Sequence, residues 1–394
     1  MNLAADMRPR KEAAFPRPTH FPWAPLRRWG VVVIACWLAG TTGVASSAPK
    51  GRPPSKGRPP ASGKAAGVKR AASRKDMNGG PGWFAPDSFW NVPLLADAPL
   101  DPNSDALVQT LVGLVHADQS ANRGPWINTS QYSVPVYTVG KDQPPMRVTL
   151  NHGDSVLQRA FERVPVPPDA APAAGTDGHL AVWQPVTDTL WEFWQARHTA
   201  NGWAASWGGR MTRVSRSPGY YRDLTDAAGG VQERASWGST ACSLPIVGGL
   251  MTIQELQAGH IHHALQFMLP RPRAGVFSWP AQRTDGTDAG PNAIPEGARF
   301  RLDPRLNLDS LTLPPMTRMM AEAAQKYGLV VNDATNSVVG FRAEDPTPLV
   351  RTGRPDPYPA LFQHQFPTQF LAAFPWDRLQ LLPLRLSKNG QTHP

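Results

Sequence analysis

Proline is the residue that most restricts what this chain can fold into. It fills 43 of 394 positions, about 11%, roughly twice ordinary usage. Its ring fixes φ, removes a backbone donor and is excluded from helix interiors and central strands. Such a chain must be assembled from short elements and many loops. No segment of 20–50 residues repeats, which argues against a propeller or a solenoid. Strand-like stretches outnumber helical ones. The expected fold is therefore mainly β: a single antiparallel β-sandwich or jelly-roll domain over residues 81–345 with a few peripheral helices. Residues 346–394, rich in proline and aromatics, are expected as an arm packed on that domain.

The net charge of +10 is unevenly placed. Residues 1–75 hold 15 Lys+Arg against 2 Asp+Glu, and the remainder holds 25 against 28. The folded part thus lacks the basic excess expected of a nucleic-acid binder. Arg27-Arg28, the apolar run Val31–Ala39 and the small residues Ala45-Ser46-Ser47 follow the order of a secretory signal, so residues 1–48 are read as a signal peptide. The run is shorter than the 20 or so apolar residues a membrane span needs. Residues 49–80 nearly repeat Lys-Gly-Arg-Pro-Pro and hold nine basic residues before the first acid, Asp76. They read as an extended disordered linker, either a spacer or a tether to an anionic surface. With Cys36 in the signal, Cys242 is alone and no intrachain disulfide is expected.

Leu107, Leu111 and Leu114/Val115 recur at helical spacing behind Asp101 or Ser104. Thr252 and Glu255 match a capping box, with Gly259 as the stop. A further helix is expected from Pro315 to Gly328. Strands are expected over His179–Gln184, Leu190–Ala196, Trp203–Trp207 and His263–Leu269, and a last hairpin over Leu329–Asn332 and Val338–Ala343.

The stretch Gly175–Trp194 is the most informative. A four-residue turn, Pro185–Asp188, pairs Gln184 with Thr189 and Ala181 with Glu192. Alternation then places Leu180, Val182, Trp191 and Phe193 on a core face. The other face carries His179, Trp183, Glu192 and Trp194. A histidine and a carboxylate between indoles form an unusual core layer, because an isolated buried carboxylate is costly. Indoles are platforms for sugar rings, and a carboxylate beside them serves proton transfer or nucleophilic attack. Glu192, His179, Asp177 and His263 are the candidate catalytic residues. Trp183, Trp194, Trp207, Gln282, Arg283 and Asp285 are the candidate substrate-binding residues, with Arg283 suited to gripping a carboxylate through two nitrogens. Asp177, His179, Glu192 and His263 could alternatively ligate a divalent metal. Gly208-Gly209 reads either as a close backbone approach to a ligand or as a bulge. Gly-x-Ser-x-Gly, His-Glu-x-x-His, P-loop and Gly-x-Gly-x-x-Gly patterns are absent, and no cofactor is otherwise implied.

The run Asp177–Trp194, the segment Leu244–Leu265, and the Gly297–Leu302 and Tyr327-Gly328 motifs occur in an order that resembles a family of secreted bacterial proteins of unassigned activity. The resemblance spans roughly residues 85–345. It maps onto Asp177, His179, Glu192, Glu255, His263, Arg299 and Arg301. The frequent family cysteine near the hairpin is missing here. Some family members carry carbohydrate-associated modules, so the resemblance implies export and supports the chosen cluster. The expectation is an exported, periplasmic or extracellular glycan-active enzyme, a hydrolase or lyase whose partner is a polysaccharide. A non-catalytic glycan- or wall-binding protein and a metal-dependent, cupin-like jelly-roll enzyme are the alternatives.

Overall fold

A computed structural model describes residues 83–335 and 337–389. The expected signal peptide and the whole of the expected linker lie outside them. The fold is mainly β, with seventeen strands and seven α-helices among the described residues. No helix among these residues is long and apolar enough to cross a membrane.

The sheets are several and mixed, which corrects the expectation of one antiparallel sandwich. The largest has six strands in the order Trp126–Asn128, Gly340–Arg342, Leu265–Pro270, Leu329–Thr335, Arg299–Leu302 and Leu379–Leu381. Its first pair and its Leu265–Pro270/Leu329–Thr335 pair are parallel. A four-stranded sheet runs Val136–Thr138, Leu180–Gln184, Thr189–Trp194 and Trp207–Thr212, parallel at its first pair and antiparallel after it. The last expected hairpin is not one. Leu265–Pro270 inserts between its two arms, so Leu329–Thr335 pairs with a strand more than fifty residues earlier.

Two apolar cores result. One lies with the four-stranded sheet and gathers Val182, Leu190, Trp191, Phe193 and Trp237. The other covers the six-stranded sheet and gathers Leu107, Leu111, Phe267, Phe341 and Met320. Alternation along one strand links them: Val330 joins the first core, while Leu329 and Val331 join the second. The helix Ser104–Ser120 buries Leu107, Leu111 and Val115 as its spacing requires. The capping box at Thr252 and Glu255 forms, and Gly259 ends the helix Ile253–Ala258 in the left-handed conformation, φ 82°.

The C-terminal segment is more than a covering arm. It supplies the edge strand Leu379–Leu381 and buries Tyr358, Phe362, Phe370, Phe374 and Trp376 in the second core. Trp376 is 4% exposed, donates its indole N–H to the Leu371 carbonyl at 2.8 Å and packs on Phe374 and Phe341. Trp376→Ala is therefore expected to lower stability by about 3–5 kcal/mol, the usual range for emptying a buried tryptophan site. The check is the urea unfolding midpoint.

Candidate functional site

The hairpin forms in the expected register, with Gln184 opposite Thr189 and Ala181 opposite Glu192. Asp188 closes the turn in the left-handed region, φ 50°, and its carboxylate accepts from Ser215 N and Oγ. The face carrying His179, Trp183, Glu192 and Trp194 is divided. One half is covered and the other opens on a cleft of about 1020 Å³.

Glu192 lies in the covered half, 0% exposed. Its Oε1 accepts from Ser239 N at 2.7 Å and Ser239 Oγ at 3.2 Å, and its Oε2 from Ile246 N at 2.9 Å. These donors come from the loop that seals this half of the face. Glu192 therefore does not line the cleft, which corrects its expected catalytic place. Gly209 sits opposite it, and a Cβ there would meet Gly238 N at 2.8 Å. Gly209 thus makes room for Tyr221 and this loop, and Gly208 for Phe161 and the neighbouring strand, rather than for a ligand. Trp183, 9% exposed, belongs to the first core.

His263 is also elsewhere. It lies just before the strand Leu265–Pro270, with Nε2 at 3.1 Å from Glu255 Oε1 and Nδ1 at 2.9 Å from the Ala264 carbonyl. The Glu255 charge raises its pKa against the effect of burial. With both ring nitrogens facing oxygens, it is a structural imidazolium. The proposed metal set of Asp177, His179, Glu192 and His263 is therefore not brought together. Among the described residues no group of three His, Cys, Asp or Glu is placed to hold a metal.

The cleft does gather Asp177, His179, Trp194, Trp207, Arg283 and Asp285. Trp194 and Trp207 stand side by side across neighbouring strands. The Trp194 indole N–H reaches Asp177 Oδ1 at 3.4 Å, and Asp177 Oδ2 is 3.9 Å from His179 Nε2. His179 is 1% exposed. Its Nδ1 faces the Phe193 carbonyl at 3.3 Å, so Nδ1 carries the hydrogen and Nε2 the lone pair. Nε2 has no hydrogen-bond partner. Burial, and then the positive charge of Arg342, hold the imidazole pKa well below its ordinary value, so the ring is neutral. Asp177 keeps 35% of its side chain exposed. Burial and then the negative charge of Asp333 raise its proton affinity. Asp285 is raised by the same two causes in the same order.

Arg283 lines the cleft, but its three nitrogens already donate to the carbonyls of Ala241, Ser236 and Thr240 at 2.8, 3.0 and 3.0 Å. It also lies over the Trp207 ring. It is thus committed to the loop, which corrects the expected grip on a ligand carboxylate. Gln282 is turned to the Pro280 carbonyl and does not line the cleft.

The sequence reading missed Trp126, Tyr132, Asp333 and Arg342, all on the cleft wall. Arg342 and Asp333 pair at 2.6 Å. A register shift between Phe267 and Met268 leaves Asn332 as the extra residue of a bulge, its amide donating to the Gln266 side chain, and re-aims Asp333. An acid and a base inside the otherwise apolar runs of Leu329–Thr335 and Gly340–Arg342 were the available signal. No protein-family model matches the chain, and no curated protein or solved structure matches it either.

Two outcomes test the role of Glu192. Glu192→Ala strands the Ser239 and Ile246 N–H groups, and each buried donor left unsatisfied costs about 1–3 kcal/mol, measurable by urea unfolding. Burial also raises the carboxyls of Glu192 and Glu344 to about 7 and of Glu233 to about 8. A folded pKa above the unfolded value contributes stability at low pH that is lost as pH rises through the folded pKa. The melting temperature should therefore fall steadily between about pH 5 and about pH 8, and a rise over that window would contradict the assignment.

Proposed function

We propose that the protein is a glycan-cleaving hydrolase that works in this cleft, with Asp177 as the proton-transfer residue. The carrying observation is the placement of Asp177: half-buried, held by the Trp194 indole on one oxygen and facing the neutral His179 on the other. A carboxyl with raised proton affinity retains its proton to milder pH, as a general acid for a glycosidic oxygen must. Trp194, Trp207, Trp126 and Tyr132 offer apolar surfaces to sugar rings, and Asn128, Ser130, Gln131 and Thr335 offer partners for hydroxyls. Hydrolysis is favoured over uronate elimination because Arg283 is engaged by three loop carbonyls and Arg342 is held by Asp333 and the Tyr132 carbonyl, with only its buried Nη1 unpartnered.

In this reading His179 is a positioning residue. Its fixed tautomer turns a lone pair toward Asp177 and leaves the carboxyl proton a second acceptor. The signal-like N-terminus supports export to a compartment where polysaccharide is met. The basic segment before residue 80 supports attachment to an anionic surface.

Purified protein should release reducing ends from at least one member of a polysaccharide panel. Asp177→Asn should lose about 10²–10⁴-fold in turnover, the usual worth of a general acid, with an unchanged melting temperature and retained oligosaccharide binding. Full turnover in Asp177→Asn removes the acid assignment. Binding without turnover in the wild type makes the cleft a recognition site instead.

A further inference from the structure

The charges of the cleft are unbalanced in a way that specifies a ligand. Asp177, half-buried, and Asp285, exposed at the rim, are carboxylates of its lining. Among the described residues neither forms an ion pair with Lys or Arg, and the nearest basic group to Asp177 is the neutral His179 at 3.9 Å. The two arginines on the wall are largely engaged. Arg342 holds Asp333 and donates to the Tyr132 carbonyl, leaving only its buried Nη1 without a partner, and Arg283 holds three loop carbonyls. Carboxylates without an ion-pair partner are costly to desolvate. Burial and the Asp333 charge raise the proton affinity of both groups, and the more distant charges of Arg342 on Asp177 and Arg283 on Asp285 offset this only in part. A second observation is independent of the acids. His179, 1% exposed, keeps Nε2 without a hydrogen-bond partner beside Asp177, an acceptor waiting for a donor. The remaining walls are Trp126, Tyr132, Trp194 and Trp207, and aromatic faces attract cations.

We propose that the glycan recognised here carries free amines, as a hexosamine does, with Asp285 as the residue that holds the ammonium inside the aromatic walls. The sugar ring stacks on the indoles, and the ammonium supplies the countercharge that the cleft lacks. An N-acetyl group removes that charge, and a uronate reverses it. This inference rests on the glycan reading above and narrows it to one substrate class.

The test is calorimetric titration of the full-length protein at low ionic strength and mildly acidic pH with four oligosaccharides of equal length. They are a glucosamine oligomer, its N-acetylated counterpart, an oligogalacturonide and a neutral cello-oligosaccharide. The expected result is at least about tenfold tighter binding of the glucosamine oligomer than of its acetylated form, equivalent to about 1.4 kcal/mol. That preference should weaken with added salt and with deprotonation of the amine at higher pH. Asp285→Asn should abolish the preference, so that the glucosamine oligomer binds no more tightly than its N-acetylated form. Equal or tighter binding of the acetylated, neutral or uronide ligand overturns the amine proposal and leaves the glycan reading standing. A preference that persists in folded Asp285→Asn removes Asp285 from the role. If that variant fails to fold, the salt and pH dependence of the wild-type preference decides. Absence of binding to all four oligosaccharides overturns both readings.

Discussion

The structure depends on how one buried irregular segment satisfies its backbone. Residues 236–246 form no regular element beyond turns, yet most of them are buried. Buried N–H and C=O groups without partners are too costly to leave unmade. Side chains from elsewhere in the chain supply the partners. Glu192 accepts from Ser239 and Ile246, Asp333 accepts from Ala241, Gln266 donates to the Ile246 carbonyl, and Arg283 donates to Ser236, Thr240 and Ala241. The segment is thereby fixed against both the four-stranded sheet and the strand Leu265–Pro270. Ser239, Thr240 and Ala241 then stand as part of the cleft wall.

This hydrogen bonding explains the division of labour among the polar residues. Glu192 looks catalytic and Arg283 substrate-binding by type and by aromatic company, but their polar atoms are taken up mainly by backbone groups. Asp177 has one indole donor and a neutral histidine beside it, so it keeps an exposed edge and a titratable proton. Cys242 belongs to the structural set as well: its thiol donates to the Asn332 carbonyl at 2.9 Å, and burial raises its pKa well above the ordinary value, which makes it a poor nucleophile.

Local features were legible in the sequence. The Gln184–Thr189 register, the Thr252–Glu255 capping box and the helix from Pro315 to Lys326 follow from spacing over a few residues. The open end of the hairpin face was legible too, since alternation put His179 and Trp194 together. Non-local facts were not. Alternation states which side chains share a face, but not that a loop about fifty residues on would cover Glu192 and leave Asp177 and Trp194 open. Nor does it show that Leu265–Pro270 would separate Leu329–Thr335 from Gly340–Arg342. Asp333 and Arg342 reach the cleft only through that insertion and its bulge, and local pattern carries no trace of either.

The central claim is that the open half of the hairpin face, and not its covered half, is where ligand meets protein. The most direct test is a nuclear magnetic resonance titration that follows the tryptophan indole N–H signals as an oligosaccharide is added. The account predicts that Trp194, Trp207 and Trp126 shift with ligand concentration while the buried Trp183, Trp191 and Trp203 stay in place. Shifts confined to the buried tryptophans, or none at any of the six under saturating ligand, would contradict it.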